Sequence, residues 1–477
     1  MSEQKRHYVA VVGGAVAGSV AAEILSDHGV RVAVIEQNTR PYGKIEDGLP
    51  RWHVEQRKQE YVKIAARIKK PNVVFVPSTK IGADVEFNDF IEKWGFSAVV
   101  LANGAWRDRS IGIDGSNAYI DKGLVYQNPF IYWYNHKNEK TYDGPRYDAA
   151  DGIIVLGGGL ASLDVVKVLQ LENYERALKA RGIDASMHDM EKKGIAAFCK
   201  LHDVDPASLG VKGCLLLYRR RTQDMPLAQP PNNATPEQLA KTENVRRKVL
   251  KLAQDKFLFR FQDCRLTQGM VIEDGRLVGL KVAETKVEGR RATPVPGSEY
   301  ELRAPMIISS IGSIPEVISG ISMTGVYYDF TDAEVPQYKG NDRVFGVGNV
   351  VTGQGNIRVS LVHSQKVTGK LIADYLGIDD PEAQKSSAAT DGGATVNYDG
   401  VGEDVTANRN LSGITAPAEA RGAAQAEAVQ QTLATIPELT DEQMAGIDAR
   451  IRQQHERVGY TGDYDAWIEK VTPADLE

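Results

Sequence analysis

The sequence is poor in cysteine. Only three cysteines occur among 477 residues, Cys199, Cys214 and Cys264, and no two of them have a Cys-x-x-Cys spacing. This pattern excludes a disulfide scaffold, an iron–sulfur cluster held by this chain alone and a redox-active dithiol. We therefore expect three free thiols in a reducing compartment.

The sequence also lacks long hydrophobic runs and an excess of basic residues. No run approaches the roughly 18 apolar residues of a membrane-spanning helix, and the N-terminus does not resemble a signal peptide. The net charge of −6 gives no support to a nucleic-acid partner. We expect a cytoplasmic protein without a membrane span or a metal site. Its length and its 42% hydrophobic content are sufficient for two to four domains.

A glycine-rich turn follows the first apolar strand, His7 to Val12. It contains Gly13, Gly14, Ala15, Ala17 and Gly18, and a helical run and a second strand ending at Glu36 and Gln37 come next. Gly13 would make the tight turn, Gly18 would let the helix pack close to the strand, and the helix N-terminus attracts a pyrophosphate. An acid at the position of Glu36 can accept a hydrogen bond from a ribose hydroxyl. The motif predicts a dinucleotide site, with a purely structural strand–helix turn as the alternative.

A second glycine turn occurs near residue 157. The strand at 153–156 is followed by Gly157, Gly158, Gly159, Leu160 and Ala161, with Ser162 where a third glycine is usual. The strand near 213–218 ends in Arg219, Arg220 and Arg221 rather than in an acid. Guanidinium groups can grip a 2′-phosphate, which favours NADPH over NADH. Arginines on a solvated strand end are the alternative interpretation. The spacing between this turn and the arginines is long, so we expect a helical hairpin inserted at about 172–212.

Two further segments indicate which dinucleotide the first turn binds. One is an apolar strand that ends at Ala102, Asn103 and Gly104, and the other is a strand near the end of the main body that ends at Gly348 and Asn349. Both resemble the closing segments of two-dinucleotide flavoproteins, which implies FAD at the first turn. Relatives often have Asp where this chain has Asn349.

The order of these pieces resembles the adrenodoxin reductase type of ferredoxin–NADP reductase and, more distantly, the glutamate synthase small subunit. The resemblance covers about residues 6–378 and rests on segments such as VVGGAVAG, RPYGKIEDGLPRWH, VLGGGLASLDVVKVL, YRRRTQDMP and VFGVGNVVTGQGNI. It implies an α/β fold with two Rossmann-like dinucleotide-binding domains. The FAD domain would comprise 1–115 and 318–379, and the NAD(P) domain 116–317 would be inserted into it.

The resemblance also implies roles for individual residues. The flavin would be lined by Tyr42, Gly43, Lys44, Gly48 and Leu49 and by the backbone of Gly355, Asn356 and Ile357. His53 and Asp164 match residues near the flavin and the nicotinamide, and they would act in proton relay and orientation. For His53, a surface loop position is an equal alternative.

The expected activity is electron transfer from NADPH through FAD to an iron–sulfur protein such as ferredoxin, or the reverse. The alternatives are a flavin-dependent reductase or monooxygenase of a small organic substrate, and an NAD(P)H-oxidising subunit of a larger complex. Seven basic residues in each of the stretches 51–70 and 241–260 could form a docking face for an acidic partner. Ordinary solvated helix faces are the alternative interpretation of both stretches.

The composition changes after residue 379. Residues 380–425 are rich in small and polar residues and predict a flexible linker. Residues 426–477 recover helical character, with a capped helix start at Thr440. Tyr460, Tyr464 and Trp467 form an aromatic cluster that we expect to dock on the main body, docking on a partner being the alternative.

Overall fold

A computed structural model describes residues 6–231, 233–332, 334–378 and 436–473. The predicted linker at 380–425 lies outside these residues, as do both ends of the predicted tail. The helices in chain order are α1 Val16–Asp27, α2 Lys44–Asp47, α3 Val54–Ile68, α4 Phe87–Lys93, α5 Gln127–His136, α6 Leu160–Lys179, α7 Met187–Lys193, α8 Ile195–Leu201, α9 Pro236–Phe257, α10 Asn349–Thr352, α11 Ile357–Lys370, α12 Asp441–Val458 and α13 Tyr464–Val471. Short 3₁₀ turns cover Ser116–Tyr119, Pro206–Leu209 and Thr222–Asp224, and a π-type turn at Leu371–Tyr375 continues α11.

The strands of the described residues form two parallel sheets, one antiparallel sheet and two short ribbons. In chain order they are β1 Tyr8–Val12, β2 Arg31–Ile35, β3 Val73–Val76, β4 Ala98–Leu101, β5 Arg107–Asp108, β6 Leu124–Tyr126, β7 Ile154–Gly157, β8 Leu215–Leu217, β9 Arg260–Gln262, β10 Arg265–Glu273, β11 Arg276–Glu288, β12 Arg291–Pro294, β13 Tyr300–Arg303, β14 Ile307–Ser310, β15 Ser313–Ile314, β16 Met323–Thr324, β17 Tyr327–Tyr328 and β18 Val344–Gly346.

The first parallel sheet has the order β18-β4-β1-β2-β3. Its strands are apolar on both faces because helices and loops cover both sides, and β1 is buried along its whole length. Its fifth strand, β18, comes from near residue 345 and pairs beside β4. The sheet is therefore assembled from two distant parts of the chain.

The second parallel sheet has the order β6-β14-β7-β8-β9. It uses strands between residues 124 and 310, so its chain segment lies between the two parts of the first sheet. The antiparallel pair β5–β15 lies where the chain passes between the sheets, with Ser313 opposite Asp108. The predicted α/β class with two Rossmann-like units is confirmed, while the proposed domain boundaries remain a prediction.

The region after the second glycine turn differs from the inserted hairpin that we predicted. Helix α6 runs for 20 residues, and the short helices α7 and α8 follow it. Met190, Ile195 and Phe198 from the short helices are buried in the same core as Leu169 of α6. The polar composition of this region concealed its buried positions, and the segment is a lengthened helix with two supporting helices.

The C-terminal helices pack on the main body. Helix α12 begins at the predicted site, where Thr440 and Gln443 form a reciprocal capping box. Tyr460, Tyr464 and Trp467 are buried in the core of the first sheet, together with Phe75. The expected docking of this aromatic cluster on the body is therefore confirmed.

Candidate functional site

The two parallel sheets open onto one continuous cleft of about 1750 Å³. Its lining includes Val12 at the end of β1, Ala102 after β4, Leu156 in β7 and Ser310 at the end of β14. The carboxyl ends of parallel strands are the usual ligand-binding edge of such sheets. The two predicted dinucleotide sites therefore share one cavity.

The first glycine turn has no room for side chains at two positions. Gly13 has a φ of +101°, and a Cβ atom there would lie 2.7 Å from the carbonyl oxygen of Ala102. A Cβ atom on Gly18 would lie 1.7 Å from the carbonyl oxygen of Gly13. Gly13, Ala15 and Ala17 line the cleft at the start of α1, whereas Gly14 and Gly18 do not. The turn thus leaves the α1 N-terminus open to the cavity.

Glu36 lines the cleft together with Gln37 and also supports the glycine turn. It is only 3% exposed, and its carboxylate accepts hydrogen bonds from the N–H of Gly14 at 2.8 Å and of Asn38 at 2.9 Å. Burial raises the pKa of Glu36 to about 7, and these backbone hydrogen bonds oppose that rise. Glu36, the predicted acceptor for the ribose, therefore also stabilises the glycine turn.

Asn103 and Asn349 both line the cleft, and each has a buried acceptor atom. Asn103 donates a hydrogen bond to the Tyr328 hydroxyl at 3.0 Å. The Oδ1 atoms of both asparagines are buried, and neither accepts a hydrogen bond from the residues that the structure describes. Unsatisfied buried acceptors are costly, so these two atoms fit a ligand that brings hydroxyl or N–H donors. Gly104 also lines the cleft.

Gly348 supports the cleft from behind. Its φ is +72°, and a Cβ atom there would lie 2.6 Å from the Cβ atom of Ala17. Gly348 does not line the cleft. The lack of a side chain at this position instead allows the segment after β18 to pack close to α1. The predicted cofactor contact of Gly348 is therefore at most indirect.

The loop before α11 agrees only in part with what the resemblance implies. Gly355, Asn356 and Ile357 all line the cleft. The Asn356 N–H, however, donates to the carbonyl of Gln354 at 2.9 Å, and the Asn356 side chain caps α11 by accepting from the N–H of Arg358. The expectation that the Asn356 N–H faces a ligand is wrong for this conformation, because an asparagine at the helix N-cap uses its polar groups locally.

The segment before α3 contributes lining residues and one core residue. Gly43, Lys44, Gly48 and Leu49 line the cleft. Tyr42 does not: it is 5% exposed and stacks on Tyr61 with ring centroids 4.0 Å apart. The Tyr42 ring is therefore directed into the core of the first sheet, and the flavin contact of this residue stays a prediction.

Lys44 belongs to a polar cluster that the sequence did not predict. Its ammonium donates to Asn128 Oδ1 at 2.9 Å and to Ser313 Oγ at 3.0 Å, and Asp108 lies close by. Burial lowers the pKa of Lys44 to about 8, and the nearby Asp108 carboxylate opposes this fall. Burial also raises the pKa of Asp108 to about 6. The partners are distant in sequence, so no local pattern indicated the cluster.

The two residues proposed for catalysis lie together at the cleft. His53 precedes α3 and Asp164 lies in α6, and His53 Nε2 is 3.8 Å from Asp164 Oδ1. Both residues line the cavity. His53 is 6% exposed, so the alternative of a surface loop histidine is wrong. The His53–Asp164 pair therefore connects the start of α3, in the layer of the first sheet, with α6 of the second sheet.

The second glycine turn places Gly157, Gly159, Leu160 and Ala161 on the cleft wall. Ser162 is fully buried and does not line the cleft. Its hydroxyl donates to the carbonyl of Gly159 at 2.6 Å. Ser162 therefore closes the turn internally, and its predicted cofactor contact is not present in this conformation.

Two of the three arginines after β8 face the cleft. Arg219 is exposed and Arg220 is half-buried, and both line the cavity. Arg220 donates from Nε to the Tyr218 hydroxyl at 3.1 Å. Arg221 instead pairs with Asp224 at 2.9 Å and is not a lining residue. Arg219 and Arg220 are thus available to a ligand phosphate.

The two basic stretches carry less free charge than their sequences indicate. Several of their cations form ion pairs within the chain: Lys63–Glu60, Arg67–Glu23, Lys69–Asp465, Lys70–Asp27, Arg247–Glu243 and Lys251–Asp255. Arg246 donates to the carbonyls of Ala228 and Gln223. These contacts weaken the case for a docking face and favour ordinary helix surfaces.

The described part of the chain contains no group of His, Cys, Asp and Glu that could hold a metal ion. Cys199 and Cys214 are buried, and Cys264 is partly exposed. Among the described helices, none is long and apolar enough to cross a bilayer.

Comparison with known proteins gives relatives over most of this region. Residues 11–68 match the family model of an NAD(P)-binding Rossmann-like domain. The mitochondrial NADPH:adrenodoxin oxidoreductase of Arabidopsis thaliana is 22% identical over 364 residues, which cover 70% of this chain and 72% of that protein. The glutamate synthase [NADPH] small chain of Halomonas elongata is 23% identical over 386 residues, covering 78% and 68%.

A third relative and a solved structure extend the comparison. The NADPH-Fe(3+) oxidoreductase subunit beta of Geobacter sulfurreducens is 26% identical over 326 residues, but this chain spans only 38% of its length. FprA of Mycobacterium tuberculosis, solved in complex with NADPH, shares the fold with a TM-score of 0.59 at 17% identity, over 80% of this chain and 86% of that one. With the two glycine turns on one cleft, these likenesses match an FAD-dependent pyridine nucleotide oxidoreductase of the type that includes adrenodoxin reductase and the glutamate synthase small chain.

Proposed function

We propose that the protein is an NADPH-dependent FAD oxidoreductase that passes electrons from NADPH through the flavin to an iron–sulfur protein such as ferredoxin. The observation that carries this proposal is the single cleft onto which both glycine turns open. Hydride transfer requires the two cofactors in contact, and a shared cavity at the ends of two Rossmann-like sheets provides that arrangement.

The residues around the first turn fit FAD. The side-chain-free turn at Gly13 leaves space for a pyrophosphate at the α1 N-terminus. Glu36 would accept from the adenosine ribose, and the buried Oδ1 atoms of Asn103 and Asn349 would accept from donors of the flavin half. Gly43, Lys44, Gly48, Leu49, Gly355 and Ile357 would complete the wall.

The residues around the second turn fit NADPH. Gly157, Gly159, Leu160 and Ala161 would receive the pyrophosphate at the α6 N-terminus. Arg219 and Arg220 would pair with the 2′-phosphate, which NADH lacks. This difference in charge is the basis of the proposed preference for NADPH.

The cofactors supply the hydride transfer itself when they are bound, and the chain supplies binding and orientation. His53 and Asp164 lie where the layers of the two sheets meet, 3.8 Å apart. We assign them the task of orienting the nicotinamide end and of holding a proton close to the reacting centre. Both side chains are largely buried, which keeps bulk water away from their polar atoms.

An external acceptor follows from the cysteines of the chain. Three cysteines without Cys-x-x-Cys spacing provide neither a cluster nor a dithiol to receive electrons. Flavins can release electrons singly, so a one-electron iron–sulfur protein is the natural partner. The names of two relatives describe subunits, so a role within a larger complex is the competing proposal.

The deciding experiment is anaerobic stopped-flow spectroscopy of the purified protein with NADPH, NADH and an added ferredoxin. We expect the flavin to be bleached faster by NADPH than by NADH and to be reoxidised by ferredoxin. A protein that binds no FAD contradicts the proposal altogether. A flavin that NADPH reduces but ferredoxin leaves reduced directs the search to a small substrate or to a cluster-bearing subunit.

A further inference from the structure

The C-terminal helices α12 and α13 lie outside the region that resembles the known reductases. Within the described residues 436–473 they return to the edge of the first parallel sheet, beside β3. Ile447 and Ile451 of α12 are buried against this sheet, and Tyr464 of α13 packs edge-on against Phe75 of β3 with ring centroids 5.4 Å apart. The tail therefore covers an edge that would otherwise be open.

Several polar contacts of the tail are made with β3 and with the loops beside it. His455 Nε2 lies 2.8 Å from the Phe75 carbonyl oxygen, and Trp467 Nε1 donates to the carbonyl of Thr39 at 2.8 Å. Arg457 Nη2 donates to the Ser78 carbonyl at 2.6 Å and to Thr79 Oγ1 at 3.2 Å. These contacts therefore hold the backbone of two loops and do more than cover an apolar surface.

One of these loops is strained. Ser78 has a φ of +50°, a conformation that is uncommon for residues other than glycine. Such a conformation persists where surrounding contacts fix it. Arg457 binds the carbonyl of Ser78 and also pairs with Asp84 at 3.1 Å, so the tail supplies part of that restraint.

The same two loops form the wall of the cleft beside Glu36. Thr79 lines the cleft, and its N–H donates to the Glu36 carbonyl at 2.8 Å. The Ser78 N–H donates to the carbonyl of Asn38, whose own N–H donates to the Glu36 carboxylate. A chain of hydrogen bonds thus runs from Arg457 through the loop at 78–79 to the acid at the end of β2.

We propose that the tail is a clamp that holds the adenosine end of the FAD site in its binding shape. Arg457 and Trp467 are its positioning residues, because they bind the loops at Ser78–Thr79 and at Thr39 without lining the cleft themselves. The inference rests on the proposed placement of FAD at the first glycine turn. A preorganised wall lowers the ordering cost of binding and slows release of the cofactor.

The test measures FAD release from full-length protein by the recovery of flavin fluorescence on dilution. We expect Arg457→Ala and Trp467→Ala to release FAD about tenfold faster than the wild type, because the loops at Ser78–Thr79 and Thr39 lose a contact that holds them in the binding shape. Arg452→Ala is the matched control, since Arg452 is exposed on the same helix. Binding of 2′,5′-ADP at the second sheet should stay within about twofold in every variant, which reports an intact fold.

Conservative variants distinguish loss of the hydrogen bonds from misfolding. Trp467→Phe keeps the apolar packing and removes only the N–H donor, and Arg457→Lys keeps the charge but loses the forked geometry. Faster FAD release in these variants supports the clamp. Release at the wild-type rate in all four variants, or equal acceleration by Arg452→Ala, overturns it. Wild-type protein that binds no FAD instead contradicts the proposed function itself, so the two failures are distinguishable.

Discussion

His53 and Asp164 are brought to 3.8 Å of each other although 110 residues separate them in the chain. His53 stands at the start of α3, in the layer of the first sheet, and Asp164 stands in the first turns of α6 behind the second glycine turn. The contact therefore exists only when both sheets are in place. Residues that unite two binding units at a shared cleft are good candidates for the reacting centre.

We expect Asp164→Asn and His53→Gln each to slow reduction of the flavin by NADPH by about 10²-fold, because a misplaced nicotinamide lengthens the path of the hydride. FAD content should remain normal, because neither residue belongs to the first glycine turn. Rapid-reaction measurement of flavin bleaching provides the rates. Glu175→Gln on the same helix is the control, since Glu175 pairs with Lys179 away from the cleft. Rates within about twofold of the wild type would remove both residues from the reacting centre.

The three arginines after β8 provide a matched set for coenzyme choice. Arg219→Ala and Arg220→Ala should each raise the KM for NADPH by about 10- to 100-fold and leave the KM for NADH nearly unchanged, since hydrogen bonds to a charged phosphate contribute about 1.5–3 kcal/mol each. Arg221→Ala should change neither value, because Arg221 pairs with Asp224 outside the cleft lining. Steady-state kinetics with both coenzymes measures the effect. Equal losses with NADH and NADPH would contradict the assignment to the 2′-phosphate.

Local sequence patterns predicted most of the backbone elements that surround the site. A glycine turn between a strand and a helix has a local cause, so the turns at Gly13 and Gly157 could be found from spacing alone. The family resemblance of these segments also implied that the two sheets share the chain discontinuously. The packing of Tyr42 could not be predicted, because the sequence does not reveal on which side of a loop a ring packs. Here it packs against Tyr61.

Contacts between distant segments could not be predicted in the same way. The Lys44 cluster joins three parts of the chain at Asn128 and Ser313, and no spacing rule connects them. The predicted docking faces were judged by counting cations, whereas ion pairs such as Lys69–Asp465 depend on where the tail folds back. The family resemblance implied only a backbone contact for Asn356, but an asparagine side chain can cap a helix, and it does so at α11.

Gly18 gives a direct test of the first turn. A Cβ atom there would lie 1.7 Å from the Gly13 carbonyl oxygen, so Gly18→Ala must push α1 away from β1. We expect the free energy of unfolding to fall by about 1–3 kcal/mol, as for other overpacked sites, and FAD binding to be lost. Chemical denaturation and flavin content measure the two effects.

Gly446 in α12 is the control for Gly18. It is also a helical glycine, but beyond its chain neighbours and the nearby backbone of its own helix, no described atom lies within 4 Å of its added Cβ. Gly446→Ala should therefore stabilise the protein by about 0.5–1 kcal/mol through the better helix propensity of alanine. Equal destabilisation by both substitutions would show that close packing at Gly18 is not the cause.

The raised pKa of Glu36 predicts that FAD binding depends on pH. Burial raises the pKa of its carboxyl to about 7 in the protein without cofactor, despite the hydrogen bonds from Asn38 and Gly14. A ribose hydroxyl that donates to the carboxylate favours the charged form, so binding should release a proton below about pH 7. The FAD affinity should therefore rise with pH below the pKa of Glu36, which is about 7, and level off above it.

Fluorescence titration of the cofactor-free protein with FAD at pH 6, 7 and 8 measures this dependence. Lys44 and Asp108 also titrate in this range, with pKa values of about 8 and about 6, so the wild type alone is not sufficient. Glu36→Gln keeps the size and an acceptor oxygen but does not titrate, and the difference between variant and wild type isolates Glu36. We expect the affinity of the variant to vary less with pH than that of the wild type. Identical pH profiles would place the ribose contact on another residue, because only a titrating acceptor can link FAD binding to proton release at this position.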